Sequence, residues 1–145
     1  YKDRKKGIIL VSLAGPVMNF LVAFVSVLLE GLLVKYGSRG SVLITILILL
    51  TEYSARINIG LGVFNLIPVP PLDGSKVLGE LAPSVNQLYR RWGPYWQWGL
   101  LILLVVGVLS VPLSAIDSAV YNLMWDGAVR LLRLYAVGGG GAGVI

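Results

Sequence analysis

Apolar residues in this chain come in long unbroken runs rather than in the alternation of a half-buried strand. From Ile8 to Leu29 no charged residue occurs, about 22 positions, enough for one membrane-spanning helix at about 1.5 Å per residue. The turn-forming stretch Lys35-Tyr36-Gly37-Ser38-Arg39-Gly40-Ser41 follows, so the chain is expected to reverse there. A second run begins near Val42, is apolar to Leu50, carries Glu52 and Arg56, and resumes from Ile57 to Ile67. Neither half is long enough to cross a bilayer alone. Glu52 and Arg56 lie four apart with the acid first, the favourable helical pairing, which supports one continuous helix with an internal ion pair. On that helix Ser54, Asn58 and Asn65 share one face and the ion pair lies on roughly the other. Both polar faces read either as contacts between helices or as a functional site.

Pro68, Pro70 and Pro71 end this helix, because each lacks an amide donor and biases its predecessor away from the helical region. A short helix from Ser75 to Leu81, capped by Asp73 or Ser75 and stopped by Pro83, is predicted next. Arg90, Arg91, Trp92, Tyr95, Trp96 and Trp98 are the anchors expected where a span meets water. A third span is predicted from Gly99 to Val111. Beyond Pro112, Ile116, Ala119, Val120, Leu123, Met124, Leu131 and Leu134 recur at helical spacing, an amphipathic helix lying on the membrane or packed over the bundle. The fold class is therefore all-α integral membrane: about three transmembrane helices, a Pro-rich unwound loop and a C-terminal amphipathic helix. Residues 1–135 form one membrane-embedded core, and 136–145 a flexible Gly-rich tail.

Composition agrees. The chain is 57% hydrophobic and 13% charged, with a mean hydropathy of +0.83, against about a quarter charged in soluble proteins. The net charge of +5 sits at the edges of apolar runs and forms no basic stripe, so nucleic acid is not expected as a partner. Lys2, Arg4, Lys5, Lys6, Lys76, Arg90 and Arg91 fall on one side and only Lys35 and Arg39 on the other, which predicts the N-terminus and the Asp73 loop toward the cytoplasm, in the cell (inner) membrane. Cysteine and histidine are both absent. The second zero removes the commonest metal ligand and general base.

Two segments carry candidate chemistry. Phe64-Asn65-Leu66-Ile67-Pro68-Val69-Pro70-Pro71-Leu72-Asp73-Gly74 puts non-helical backbone at membrane depth, where it is tolerated only if covered by protein or lining a wet cavity. Asp73 there is either a helix cap or a hard oxygen donor for a metal, with Gly74 providing the turn it sits on. Ala14-Gly15-Pro16-Val17-Met18-Asn19 places Gly, Pro and Asn inside the first span, a device for close packing, a kink, and a bridge from Asn19 to a neighbouring helix.

At these two motifs the sequence resembles the site-2 protease family of intramembrane zinc metalloproteases, especially its compact bacterial-type members. The second motif fits the family's Asn-x-x-Pro-x-Pro-x-Leu-Asp-Gly pattern at each fixed position. The resemblance covers roughly residues 7–134. It implies that Asp73 is a zinc ligand, that Asn65 orients substrate or polarises the scissile carbonyl, that Asn19 supports the site, and that Pro68, Pro70 and Gly74 shape it. It further implies a transmembrane protein substrate within the lipid bilayer, cut by zinc-assisted hydrolysis. The family's other two zinc ligands and its base lie on a His-Glu-x-x-His helix, which this sequence lacks. The expectation is a chain whose N-terminal zinc-ligand helix is missing and which is inactive alone, with a catalytically dead scaffold or chaperone-like pseudoprotease as the alternative. A small transporter fits less well, since no second discontinuous helix or repeated half is present.

Overall fold

The computed structural model describes the backbone of residues 2–138 and the side chains of residues 2–133. Six helices follow in order: α1 (Lys2–Tyr36), α2 (Val42–Asn65), α3 (Asp73–Leu81), α4 (Pro83–Trp92), α5 (Tyr95–Val106) and α6 (Ser110–Gly138). No strand occurs among the described residues. The Gly-rich segment 139–145, most of the expected tail, lies outside them.

α1 and α2 are each long and apolar enough to cross a membrane, and α5 with α6 forms a third candidate bent by 79°. Large apolar side chains cover the outside of the bundle, among them Val11, Met18, Leu43, Leu50 and Ile57. An outward face of this kind demands hydrocarbon rather than water as its solvent. α1 and α2 pack as an antiparallel pair joined by the predicted turn, with Ser41 capping α2 through its side-chain oxygen on the Ile44 amide. Their contact is made by small residues. Ser26 Oγ meets Ser54 Oγ at 3.0 Å while also donating to the Val22 carbonyl, and the Phe20 ring lies over Gly62. Ala23, Val27, Ala55 and Ile59 form the buried centre, with Tyr121 and Ala128 of α6 completing it. Small residues let helix backbones approach where lipid supplies no hydrophobic drive.

α1 is continuous through Pro16, which is buried inside it. The helix expected to form the third span ends at Gly107 rather than near Pro112, because Gly107 takes a left-handed conformation (φ 81°) that closes α5; at 12 residues α5 is too short to cross a bilayer without α6. Pro112 sits in the first turn of α6, where its missing amide costs no helical bond. Of the anchor residues, Arg90, Arg91 and Trp92 end a further helix, α4, which Pro83 starts, while Tyr95, Trp96 and Trp98 lie in α5. Between the two offered positions of the amphipathic helix, α6 takes the one packed over the bundle, against both α1 and α2.

Candidate functional site

The segment joining α2 to α3 resolves the backbone accounting that membrane depth imposes. The amides of Leu66, Ile67, Val69 and Leu72 donate to the carbonyls of Val63, Phe64, Ile67 and Val69 at 2.8–3.1 Å. The remaining three positions of 66–72 are Pro68, Pro70 and Pro71, which have no amide to satisfy. No amide in the loop is therefore left bare, so the irregular backbone carries no unsatisfied donor at the end of the apolar bundle. The Pro70–Pro71 peptide is cis. Tyr89 of α4 reaches back and donates its hydroxyl to the Pro68 carbonyl at 2.8 Å.

Asp73 follows at the first position of α3. It does not cap the helix: the cap position is Leu72, without a side-chain cap bond, and Ser75 donates its hydroxyl to the Leu72 carbonyl instead. The carboxylate turns toward α1. Asp73 Oδ2 lies 3.6 Å from where a Cβ on Gly15 would stand, so the glycine of the first motif leaves open the space beside the aspartate of the second. Oδ1 is 3.4 Å from Lys76 Nζ, a contact on the exposed side of α3. Gly74 is required for room, not for its dihedral freedom: it is absent from the positive-φ glycines, and a Cβ there would overlap the carbonyls of Leu66 and Ile67. This corrects the reading of Gly74 as a turn former.

The two motifs thus meet in space at Gly15 and Asp73. Measured along α1, Gly15 lies about 10 Å inward from the start of the apolar run at Ile8. Asn65 is the last residue of α2, at the mouth of the proline loop, and Asn19 stands one turn beyond Gly15 on α1; both are half-buried. Neither side chain makes a hydrogen bond among the described residues, so the expected bridge from Asn19 to a neighbouring helix is absent there. Pro68 is exposed and Pro70 half-buried.

One carboxylate is not a zinc site. Among the described residues no group of three or more His, Cys, Asp or Glu side chains could hold a metal ion. The residues present do not fit a complete zinc centre, which takes three or four protein donors. They supply a single oxygen donor on a rigid support.

A second polar group lies about 22 Å further along α1, by residue count. Glu30, buried, accepts from the Tyr121 hydroxyl, which lies 2.7 and 2.8 Å from its two oxygens. Arg56 donates to Glu52 at 3.1 Å, approaches Asp117 at 3.9 Å, and stacks its guanidinium 4.2 Å from the centre of the Tyr121 ring. The Glu52–Arg56 pair forms as expected, and its face of α2 meets α6 while Ser54 meets α1. Glu30 and Tyr121 were not legible as partners. Glu30 stands just past the end of the first apolar run, Tyr121 falls within the stretch expected to be an amphipathic helix, and 91 residues separate them.

Residues 33–107, which take in Asn65, the proline segment and Asp73, match the family described as Peptidase family M50. The chain is 35% identical over 138 residues to "Putative zinc metalloprotease YwhC" of Bacillus subtilis (strain 168), covering 93% of this chain and 59% of that protein. It is 32% identical over 99 residues to "Putative zinc metalloprotease MJ0611" of Methanocaldococcus jannaschii, covering 68% of this chain and 41% of that protein. The chain therefore spans less than two thirds of either relative. No solved structure matches it.

Proposed function

Because the chain belongs to Peptidase family M50, we propose that it is the membrane core of a zinc metalloendopeptidase that cleaves transmembrane segments of membrane proteins, and that Asp73 is its contribution to the zinc site. The observation that carries this reading is the meeting of Asp73 with Gly15. A carboxylate that neither caps its helix nor lies in open solvent is turned into a gap kept free of side chain, within an apolar bundle. Hard oxygen donors of this kind suit a divalent metal when other ligands complete the set.

In this reading the proline loop holds Asp73 rigidly, Gly74 lets α3 start close against the loop carbonyls, and Asn65 and Asn19 offer free amide groups to an extended substrate backbone. The remaining zinc ligands and the catalytic base come from outside this sequence, which has no histidine; the 145 residues alone are inactive. The N-terminus and the Asp73 loop face the cytoplasm, in keeping with the basic residues at that end.

The test is made in a complete polypeptide. Asp73→Ala abolishes cleavage of a membrane substrate and lowers bound zinc, whereas Asp117→Ala leaves both nearly intact; equal effects of the two changes would sink the assignment. The lack of histidine favours a second reading, a non-enzymatic membrane scaffold that has kept the substrate groove. The two part on the coding sequence ahead of Tyr1: an in-frame His-Glu-x-x-His on an apolar segment supports the protease, and a full-length protein without one supports the scaffold.

A further inference from the structure

At the end of the bundle away from the proline loop, α1 and α6 enclose a cleft of about 200 Å³, lined by Val34, Lys35, Trp125, Val129 and Arg133 among others. Two cations thus form part of its wall. Lys35 Nζ lies 3.4 Å from the Leu132 carbonyl of α6 and 5.2 Å from the centre of the Tyr36 ring, which keeps the ammonium between the two helices. Neither Lys35 nor Arg133 takes part in an ion pair among the described residues. The acids that precede them on the same helices do not serve them: Glu30 is buried and taken by the Tyr121 hydroxyl, and Asp126 pairs with neither. No other acidic residue occurs between Glu30 and Glu52, or anywhere after Asp126. Measured along α1, Lys35 stands about 40 Å from Ile8, where the charge-free run begins. Hydrocarbon takes up about 30 Å of that, so the cleft opens at the layer of lipid headgroups, the depth that suits the Trp125 ring.

Two unpaired cations set among apolar side chains at that depth match an anion that is itself tethered to an apolar body. We propose that the cleft between the C-terminal end of α1 and α6 binds the head of one anionic phospholipid, its phosphate between Lys35 and Arg133 and its acyl chains leaving past Val34 and Val129 into the bilayer. The cleft is smaller than the roughly 300–1,000 Å³ that encloses a whole small molecule, as a site holding only one end of its ligand should be. Val34 is 55% exposed, so the apolar wall continues onto the lipid-facing surface. A free phosphate ion would use the cations and leave that wall idle. A zwitterionic lipid would bring its own ammonium group against two positive side chains. The anionic lipid meets both halves of the site, with arginine as the fork suited to phosphate oxygens and lysine as a point charge beside it.

The experiment uses the whole chain in phosphatidylcholine vesicles containing dibrominated phosphatidylglycerol or, separately, dibrominated phosphatidylcholine. It reads the share of tryptophan fluorescence that Trp125→Phe removes, which belongs to the ring lining the cleft. Half-maximal quenching of that share is expected at about fivefold lower mole fraction, or less, of the brominated phosphatidylglycerol, since a basic residue at an anionic surface contributes about that factor. Lys35→Gln with Arg133→Gln removes the preference and leaves quenching by the brominated phosphatidylcholine as in the parent. Val34→Phe, which fills the cleft and keeps both cations, removes it as well. Arg90→Gln with Arg91→Gln lowers the net charge equally at the other end of the bundle and leaves the preference intact. Equal quenching by the two lipids in the unaltered protein overturns the proposal. So does a preference that survives loss of Lys35 and Arg133 or the filling of the cleft, or one that falls as far when Arg90 and Arg91 are changed instead. Relief of the quenching by millimolar inorganic phosphate, at fixed ionic strength, overturns it in favour of a free anion.

Discussion

At the scale of single residues, the two glycines at the Asp73 site do different work, and substitutions separate them. Gly74 is pressed on the carbonyls of Leu66 and Ile67, so Gly74→Ala must move backbone, at a cost of about 3 kcal/mol or more. The expected result is a lower midpoint of thermal unfolding in detergent. Gly15 faces only the Asp73 carboxylate at ordinary contact distance, so Gly15→Ala keeps the fold, with an unfolding midpoint close to the parent's. In the complete enzyme it narrows the space at Oδ2 and lowers zinc content. A loss of folding with Gly15→Ala, or indifference to Gly74→Ala, contradicts this geometry. Asp73 itself was legible from the motif, but its orientation was not. The sequence allows an aspartate at that position to cap α3, and only the approach of α1 shows that it does not.

At the scale of elements, α6 is held to the α1–α2 pair by polar contacts that no local pattern announces. Removing the Tyr121 hydroxyl with Tyr121→Phe leaves the buried Glu30 carboxylate without its donor, at an expected cost of about 1–3 kcal/mol. Adding Glu30→Gln should recover part of that loss, a coupling that a double-mutant cycle measures as non-additivity. Neutralising Arg56 should destabilise more than neutralising Glu52, because Arg56 faces both Glu52 and Asp117 and its loss leaves two carboxylates unpaired in an apolar bundle, whereas loss of Glu52 leaves the arginine still paired.

The tie between α4 and the proline loop responds to alkali. Burial raises the Tyr89 hydroxyl above its ordinary value of 10.0, so its bond to Pro68 is fully present below that value and is lost as pH rises through the higher folded one. Titration of tyrosinate absorbance against a Tyr89→Phe variant should show this one group ionising later than free tyrosine. Loss of an early-ionising group in the variant counts against the bond.

At the scale of the whole molecule, the bundle is a two-helix hairpin with an irregular proline loop at one end and a helix strapped across it. A Cβ on Gly31 would stand 2.8 Å from Leu132 Cδ1, and the chain has no cysteine of its own. The pair Gly31→Cys, Leu132→Cys is therefore expected to cross-link under mild oxidation in vesicles. Its failure to do so, while a pair at the Ser26–Ser54 contact does, would mean that α6 lies on the lipid surface instead of on the bundle.

The runs of apolar residues, the turn at 37–41 and the cluster of prolines were enough to read two spans, their reversal and the unwound loop, because each follows from neighbours in the chain: bilayer thickness needs an uninterrupted run, and a proline removes its own amide. The same locality made Asp73 and the two motifs readable. It also explains the misplaced end of the third span, where the left-handed backbone at Gly107, not the more conspicuous Pro112, breaks the helix.

What local reading could not supply was every contact across the bundle: Gly15 beside Asp73, Tyr121 on Glu30, and α6 over α1 and α2. In a bilayer the lipid satisfies apolar side chains on all sides, so hydropathy places a helix in the membrane without saying which face meets which neighbour. That choice rests on small residues and paired polar groups far apart in sequence, and only the packed tertiary structure makes it.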